Sequence, residues 1–345
     1  MAEFEDKKHG QMSLSDLCIG KETNAVLDDF QKKGLAIAQD QATQNRIEVS
    51  HGTVVAALSQ SASSQAVERI HIADKSQLKD FSTKIKELAE RKKNGHSCAD
   101  DLVLAWEKRS SRAELHTMSE VLIHEAIKND ALLPLVPNLI KVHQAVAQYP
   151  ESHLDRIDNL IKASATMPEM VEFIEALNSA REVGIKIHLA AGNYRDTSDR
   201  DSNSMALALN RGDELVGAVK SNKGLIEDYS RDGYGIRPNT YHTGTHLTQI
   251  TPEGVDLDND GKTDLTFSEI IVENPQTESI IFPTGDLKLP SRELTGSIIS
   301  GTSFSVPKNT GKTGQSFFEI GKATKPESTS SAQTTFSTKI EKSNK

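Results

Sequence analysis

The sequence predicts an α/β fold, a sheet with helical crossovers, and three observations carry that prediction. Short aliphatic runs alternate with a helical one along residues 34–74, and the same alternation returns along 170–219. A helical stretch, about 75–150, separates the two regions. At 345 residues the chain is long enough to bury the core that such a sheet needs.

The elements follow in order. Leu35-Ala36-Ile37-Ala38 and Arg46-Ile47-Glu48-Val49 read as strands, His51 to Gln60 as an apolar helix, and Arg69-Ile70-His71-Ile72 as a strand. Leu78, Phe81, Ile85 and Leu88 then recur at three- and four-residue steps, as do Leu115, Met118, Leu122 and Ala126. Such spacing puts each set on one helix face. Pro134, Pro137 and Pro150 punctuate these helices. His96, His116, His124 and His143 share no metal-ligand spacing and read as solvated helix positions. Met170 to Glu182 is a helix, and Ile185 to Leu189 and Leu215 to Val219 are strands. Residues 234–300 are rich in Thr, Gly, Pro and Asp, which suits strands and loops. The domain reading is an N-terminal segment 1–33, a domain 34–322 carrying the helical insertion about 75–150, and a tail 323–345 too polar to order itself.

Composition excludes some functions. A net charge of −9 disfavours nucleic acid as a partner, since phosphate contacts need a basic face. No apolar run is long enough to span a membrane, and Met1 to Gln11 carries no apolar secretory signal. Cys18 and Cys98 are the only cysteines and read as free thiols in a reducing compartment.

Three short segments carry the chemistry. His51-Gly52-Thr53 opens the early helix, Ala190-Ala191-Gly192-Asn193 ends a buried strand, and Gly301-Thr302-Ser303 precedes Pro307 by four residues. Each alone is an ordinary cap or turn. In this order they resemble the subtilisin-like serine peptidases, over about 34–72 and 155–307. The resemblance implies a parallel sheet with helices on both faces. It also implies Ser303 as nucleophile, His51 as general base, and Asn193 with the Ser303 N–H as oxyanion donors. Histidine suits the base because its ordinary pKa lies near neutrality. The family's aspartate follows a run of aliphatics, which assigns Asp40, after Leu35-Ala36-Ile37-Ala38-Gln39, with Asp28 or Asp29 as alternatives. By the same resemblance Ala163, Ser164 and Ala165, facing Ala190, Ala191 and Gly192, would wall the substrate cleft. After Pro307 the polar Lys308-Asn309-Thr310-Gly311 replaces the family's long apolar helix, so a short or broken helix is expected.

Asp256, Asp258, Asp260 and Asp264 alternate around Gly261. Carboxylates at positions one, three, five and nine, with glycine at six, match the start of a calcium-binding loop and imply a structural Ca²⁺. Position twelve is Phe267, so the loop is not a complete EF-hand, and Glu269 is a further candidate ligand.

These features converge on a serine endopeptidase acting on protein or peptide substrates. The competing reading is an inactive binding module of the same fold, acting on a protein partner through its helical insertion as a secreted effector. The expected location is the cytoplasm, or export without an N-terminal signal into a host cell.

Overall fold

The computed structural model describes residues 18, 21–73, 77–147, 153–193, 202–220, 225–227, 229–230, 237–273, 275, 294–311 and 315–316. The main elements run β1 (Thr23–Asp28), β2 (Lys33–Asp40), β3 (Arg46–Ser50), α1 (His51–Ser63), β4 (Ala66–His71), α2 (Leu78–Lys93) and β5 (Ala99–Leu104). Next come α3 (Arg112–Ala126), α4 (Val136–Ala147), α5 (His153–Glu182), β6 (Lys186–Ala190), β7 (Glu214–Val219), β8 (Thr240–Thr243) and β9 (Thr245–Leu247). The chain closes with α6 (Phe267–Glu273), β10 (Leu294–Gly296), β11 (Ile298–Ser300), α7 (Thr302–Ser305) and β12 (Gln315–Ser316).

The central sheet has the order β12-β8-β7-β6-β5-β1-β4. Its strands are parallel except β12, which pairs antiparallel to β8. Strand periodicity divides the core in two. Ala25, Leu27, Leu102, Leu104, Ile187 and Leu189 face the cluster formed with α2 to α5. The intervening Val26, Val103, Ala190 and Val216 face the cluster formed with α1, α7 and the antiparallel sheet β10-β2-β3. Adjacent side chains point to opposite faces, so a strand covered on both sides is apolar throughout and shows no alternation. Helices therefore lie on both faces of a mixed α/β fold.

Local signals explain the helix starts. Ser50 caps α1, its hydroxyl accepting the Thr53 N–H at 3.1 Å. Ser111 and Glu114 form a reciprocal capping box on α3.

The structure corrects several expectations. Thr23 to Asp28, set in the N-terminal segment, is β1, a strand in the middle of the sheet. The stretch 75–150 is not a purely helical insertion, because it contains β5, hydrogen-bonded between β1 and β6. Asp100 and Asp101 interrupt the start of that strand, and the apolar run Leu102-Val103-Leu104-Ala105-Trp106 after them shows no alternation to mark it as one. Cys18 and Cys98 are joined in a disulfide with their Cα atoms 5.4 Å apart, so the free-thiol reading fails. The tail 323–345 lies outside the described residues.

Candidate active site

Parallel strands end their carboxyl edges on one side of a sheet, where side chains from separate segments converge. Asp28, fully buried, ends β1 there, and α1 begins beside it with His51. Gly52 permits the approach. It donates its N–H to the Asp29 carbonyl at 3.1 Å, and a Cβ on it would lie 2.8 Å from that oxygen and 3.1 Å from the Asp28 Cβ. The Asp28 Oδ2 stands 2.6 Å from His51 Nδ1, while its Oδ1 accepts the Asp29 N–H at 2.6 Å. His51 Nε2 lies 3.0 Å from the Ser303 hydroxyl oxygen, and the Phe304 ring packs 5.3 Å from the imidazole. A carboxylate on Nδ1 fixes the tautomer, with Nδ1–H donating to Asp28 and the Nε2 lone pair open to the serine proton.

Ser303 and Asn193 are braced against each other. Asn193 Oδ1 accepts the Thr302 N–H at 2.7 Å, and the Thr302 hydroxyl accepts the Gly192 N–H at 3.0 Å. A backbone N–H only donates, so this bond assigns the amide orientation and leaves Asn193 Nδ2 as the arm able to donate elsewhere. A Cβ on Gly301 would stand 3.1 Å from the Ser303 hydroxyl oxygen and 3.3 Å from both heteroatoms of the Asn193 amide. Glycine keeps that space clear.

The structure thus brings His51, Asn193 and Ser303 together and places Asp40 elsewhere. Asp40 ends β2 in the antiparallel side sheet, where its carboxylate accepts the Ala42 and Thr43 N–H groups at 2.8 and 2.9 Å. It closes a turn, and the carboxylate against His51 belongs to Asp28.

The cleft beside Ser303 encloses about 340 Å³. Its walls are Ala105, Trp106, Glu107 and Arg109, following β5, and Ala190 from β6. Ala163 is instead buried on α5 in the helical core, and Ser164 and Ala165 are exposed on the same helix. A helix cannot supply the extended edge that a cleft wall of this kind needs, so that assignment fails. Ala191 packs into the helical cluster, and Gly192 braces Thr302 without lining the cleft. Trp106 and Glu107 were missed for want of β5.

Behind Ser303, α7 lasts only four residues and passes into a 3₁₀ turn, Val306–Gly311, as the polar sequence suggested. Asn309 enters a buried network there. Its Nδ2 lies 2.8 Å from His188 Nδ1 and also meets Glu214, and its Oδ1 lies 2.9 Å from His242 Nε2. His188 Nε2 lies 2.7 Å from Asp101. Burial alone would lower the His188 pKa, but its contacts with Asp101 and Glu214 outweigh that and raise it. Burial lowers that of His242.

In the acidic loop, Asp256, Asp258 and Asp260 each bring a carboxylate oxygen within 4.8 Å of the others. Asp256 accepts the Asn259 and Gly261 N–H groups, and Asp258 pairs with Lys308 at 2.7 Å. Asp264 turns Oδ2 to the Leu257 N–H at 2.7 Å, and burial pushes its pKa up to about 6. Glu269 accepts the Thr266 N–H at the start of α6 rather than joining the loop. His246, buried near Lys308 and Asp258, has its pKa lowered to about 4, chiefly by burial.

No family model matches the chain, and no curated protein matches it. Solved structures similar to it include a lanthipeptide protease at 13% identity and TM-score 0.41, covering 85% of this chain and 71% of that one. Another is the prenylagaramide maturation protease PagA, at 15% identity and TM-score 0.38 over 86% and 78% of the two chains. The nisin leader peptidase NisP from Lactococcus lactis stands at 11% identity and TM-score 0.39 over 84% and 76%. At these identities and TM-scores the likeness says nothing of the chemistry at Ser303.

Proposed function

We propose that the chain is a subtilisin-like serine endopeptidase that cleaves protein or peptide substrates through an acyl-enzyme. One observation carries the reading: Asp28, His51 and Ser303 form a continuous relay with contacts of 2.6 and 3.0 Å. Ser303 Oγ attacks the scissile carbonyl as His51 Nε2 takes its proton, and Asp28 holds the resulting imidazolium. The C–N bond then breaks as His51 returns the proton to the leaving amine, leaving the acyl group on Ser303. Water, deprotonated by His51, releases that group as a carboxylic acid. Asn193 Nδ2 and the Ser303 N–H serve the oxyanion of both tetrahedral intermediates, each donor contributing about 10²–10³ in turnover.

In this reading Asp256, Asp258 and Asp260 hold a structural Ca²⁺, and Asp264 shapes the loop through Leu257. One feature supports the fit: the mutual reach of the three carboxylates. The Cys18–Cys98 bond favours an exported protein, because disulfides persist in oxidising compartments. Among the described residues no helix is long and apolar enough to cross a membrane.

The test is covalent labelling with a fluorophosphonate, read by intact mass, in Ca²⁺ and in chelator. One adduct on the wild type and none on Ser303→Ala is expected, with a higher melting temperature in Ca²⁺. A folded wild type that takes no adduct in either condition would establish the inactive binding module instead. Identical melting in both conditions would remove the calcium assignment alone.

A further inference from the structure

An oxyanion donor is useful only if it is held where the charge develops, and Asn193 lies at a strand end where nothing in a β-ladder fixes it. Its backbone is held on both sides by one ion pair. Glu107 Oε2 accepts the Asn193 N–H, and Arg109 Nη2 donates to the Asn193 carbonyl at 3.2 Å. Arg109 Nε donates to Glu107 Oε1 at 2.8 Å, closing the ring. The Glu107 side chain is only 15% exposed, although it lines the cleft.

The segment that presents this pair is itself anchored. Asn203, fully buried, donates from Nδ2 to the Trp106 carbonyl at 3.2 Å and to the Ala190 carbonyl at 2.8 Å. Its Oδ1 accepts the Lys108 N–H at 3.0 Å. One amide therefore ties the two cleft walls together, with Glu107 between its attachment points.

We propose that Glu107 and Arg109 are positioning residues that clamp the Asn193 backbone and so aim its side-chain amide into the oxyanion site. The inference rests on the peptidase reading above. Charge-assisted hydrogen bonds are shorter and about twice as strong as neutral ones, which suits a charged pair to fixing a loop at a cleft mouth. The carboxylate is satisfied by the Asn193 N–H and Arg109, so it faces the cleft as part of a neutral pair. A substrate cation would have to displace Arg109 to reach it.

The test measures the fluorophosphonate inactivation rate at saturation and the half-saturating probe concentration for the wild type, Glu107→Ala and Glu107→Gln. It adds backbone amide exchange across residues 186–193. Glu107→Ala is expected to lower the saturating rate about 10–100-fold, less than outright loss of a donor. Its half-saturating concentration stays within about two-fold, and exchange at Asn193 speeds up. Glu107→Gln, which keeps an oxygen for the Asn193 N–H, recovers most of the rate. A merely structural role would lower melting temperature without this split between rate and affinity. Wild-type rate and exchange in folded Glu107→Ala overturn the clamp. So does a weakening confined to affinity for peptides carrying Lys or Arg, which makes Glu107 a substrate-reading residue. A wild type that takes no probe at all defeats the peptidase reading instead, and amide exchange then decides whether Glu107 holds Asn193.

Discussion

The carboxylate against His51 belongs to one of two strand ends with closely similar sequences. Ala25-Val26-Leu27-Asp28 and Leu35-Ala36-Ile37-Ala38-Gln39-Asp40 both present aliphatics followed by an aspartate. Only strand pairing separates them, since the first lies in the parallel sheet and the second in the antiparallel one. His51, Asn193 and Ser303 were legible because each sits in a short local pattern that does not depend on pairing. The two aspartates give a sharp contrast. On the proposed peptidase reading, Asp28→Asn exchanges an acceptor for an amide that favours the wrong His51 tautomer and should lower turnover about 10⁴-fold. Asp40→Asn keeps an oxygen for the Ala42 and Thr43 N–H groups, so turnover should stay within about two-fold. Steady-state rates on a dye-quenched casein read both. Equal loss in the two variants would remove Asp28 from the relay.

At the scale of elements, the segment after Ser303 shows why polar sequence can occupy a core. The polar stretch after Pro307 forms a 3₁₀ turn whose Asn309 joins side chains from four strands: Asp101 of β5, His188 of β6, Glu214 of β7 and His242 of β8. Asn24 of β1 adds a bond to Thr310 at 3.2 Å. Low hydrophobicity after Pro307 announced the broken helix, but nothing in the sequence announced its partners, which are scattered over 140 positions and meet only through the sheet. Buried networks of this kind stabilise only when fully satisfied. The raised His188 pKa gives the network a pH signature. The folded state binds this proton more tightly than the unfolded chain, whose histidine titrates near 6.5. The stabilisation is therefore complete below 6.5 and is lost as pH rises through the higher folded value. Denaturant unfolding of the wild type should show stability falling over that interval, and His188→Leu, whatever its absolute stability, should lack that fall. Parallel slopes in the two proteins would show that His188 is not the group responsible.

For the whole molecule, the α/β class was legible because helix and strand periods alternate, whereas the arrangement of strands was not. Parallel strands pair with partners far along the chain and are apolar on both faces, so β1 and β5 lacked the two-residue alternation that marks a half-buried strand. The disulfide depends on the same long-range pairing. Thr23 and Ala99 are register partners, and the Thr23 N–H donates to the Cys98 carbonyl at 3.0 Å. The start of the sheet thus carries Cys18 to its partner 80 residues away. Sequence counting cannot find such a bond in a chain with two cysteines, because it is made by the register of β1 against β5. Closing a loop of that size restricts the unfolded chain, and bonds of this kind contribute about 2–4 kcal/mol. An unfolding entropy of about 2.1 cal/mol/K per residue makes 1 kcal/mol worth about 1.4 °C in a chain of 345 residues, so Cys98→Ser should melt about 3–6 °C below the oxidised wild type. Reductant should lower the wild type by a similar amount and leave the variant unchanged. Two titratable thiols in the folded, unreduced wild type, with no response to reductant, would restore the free-cysteine reading and with it a reducing compartment.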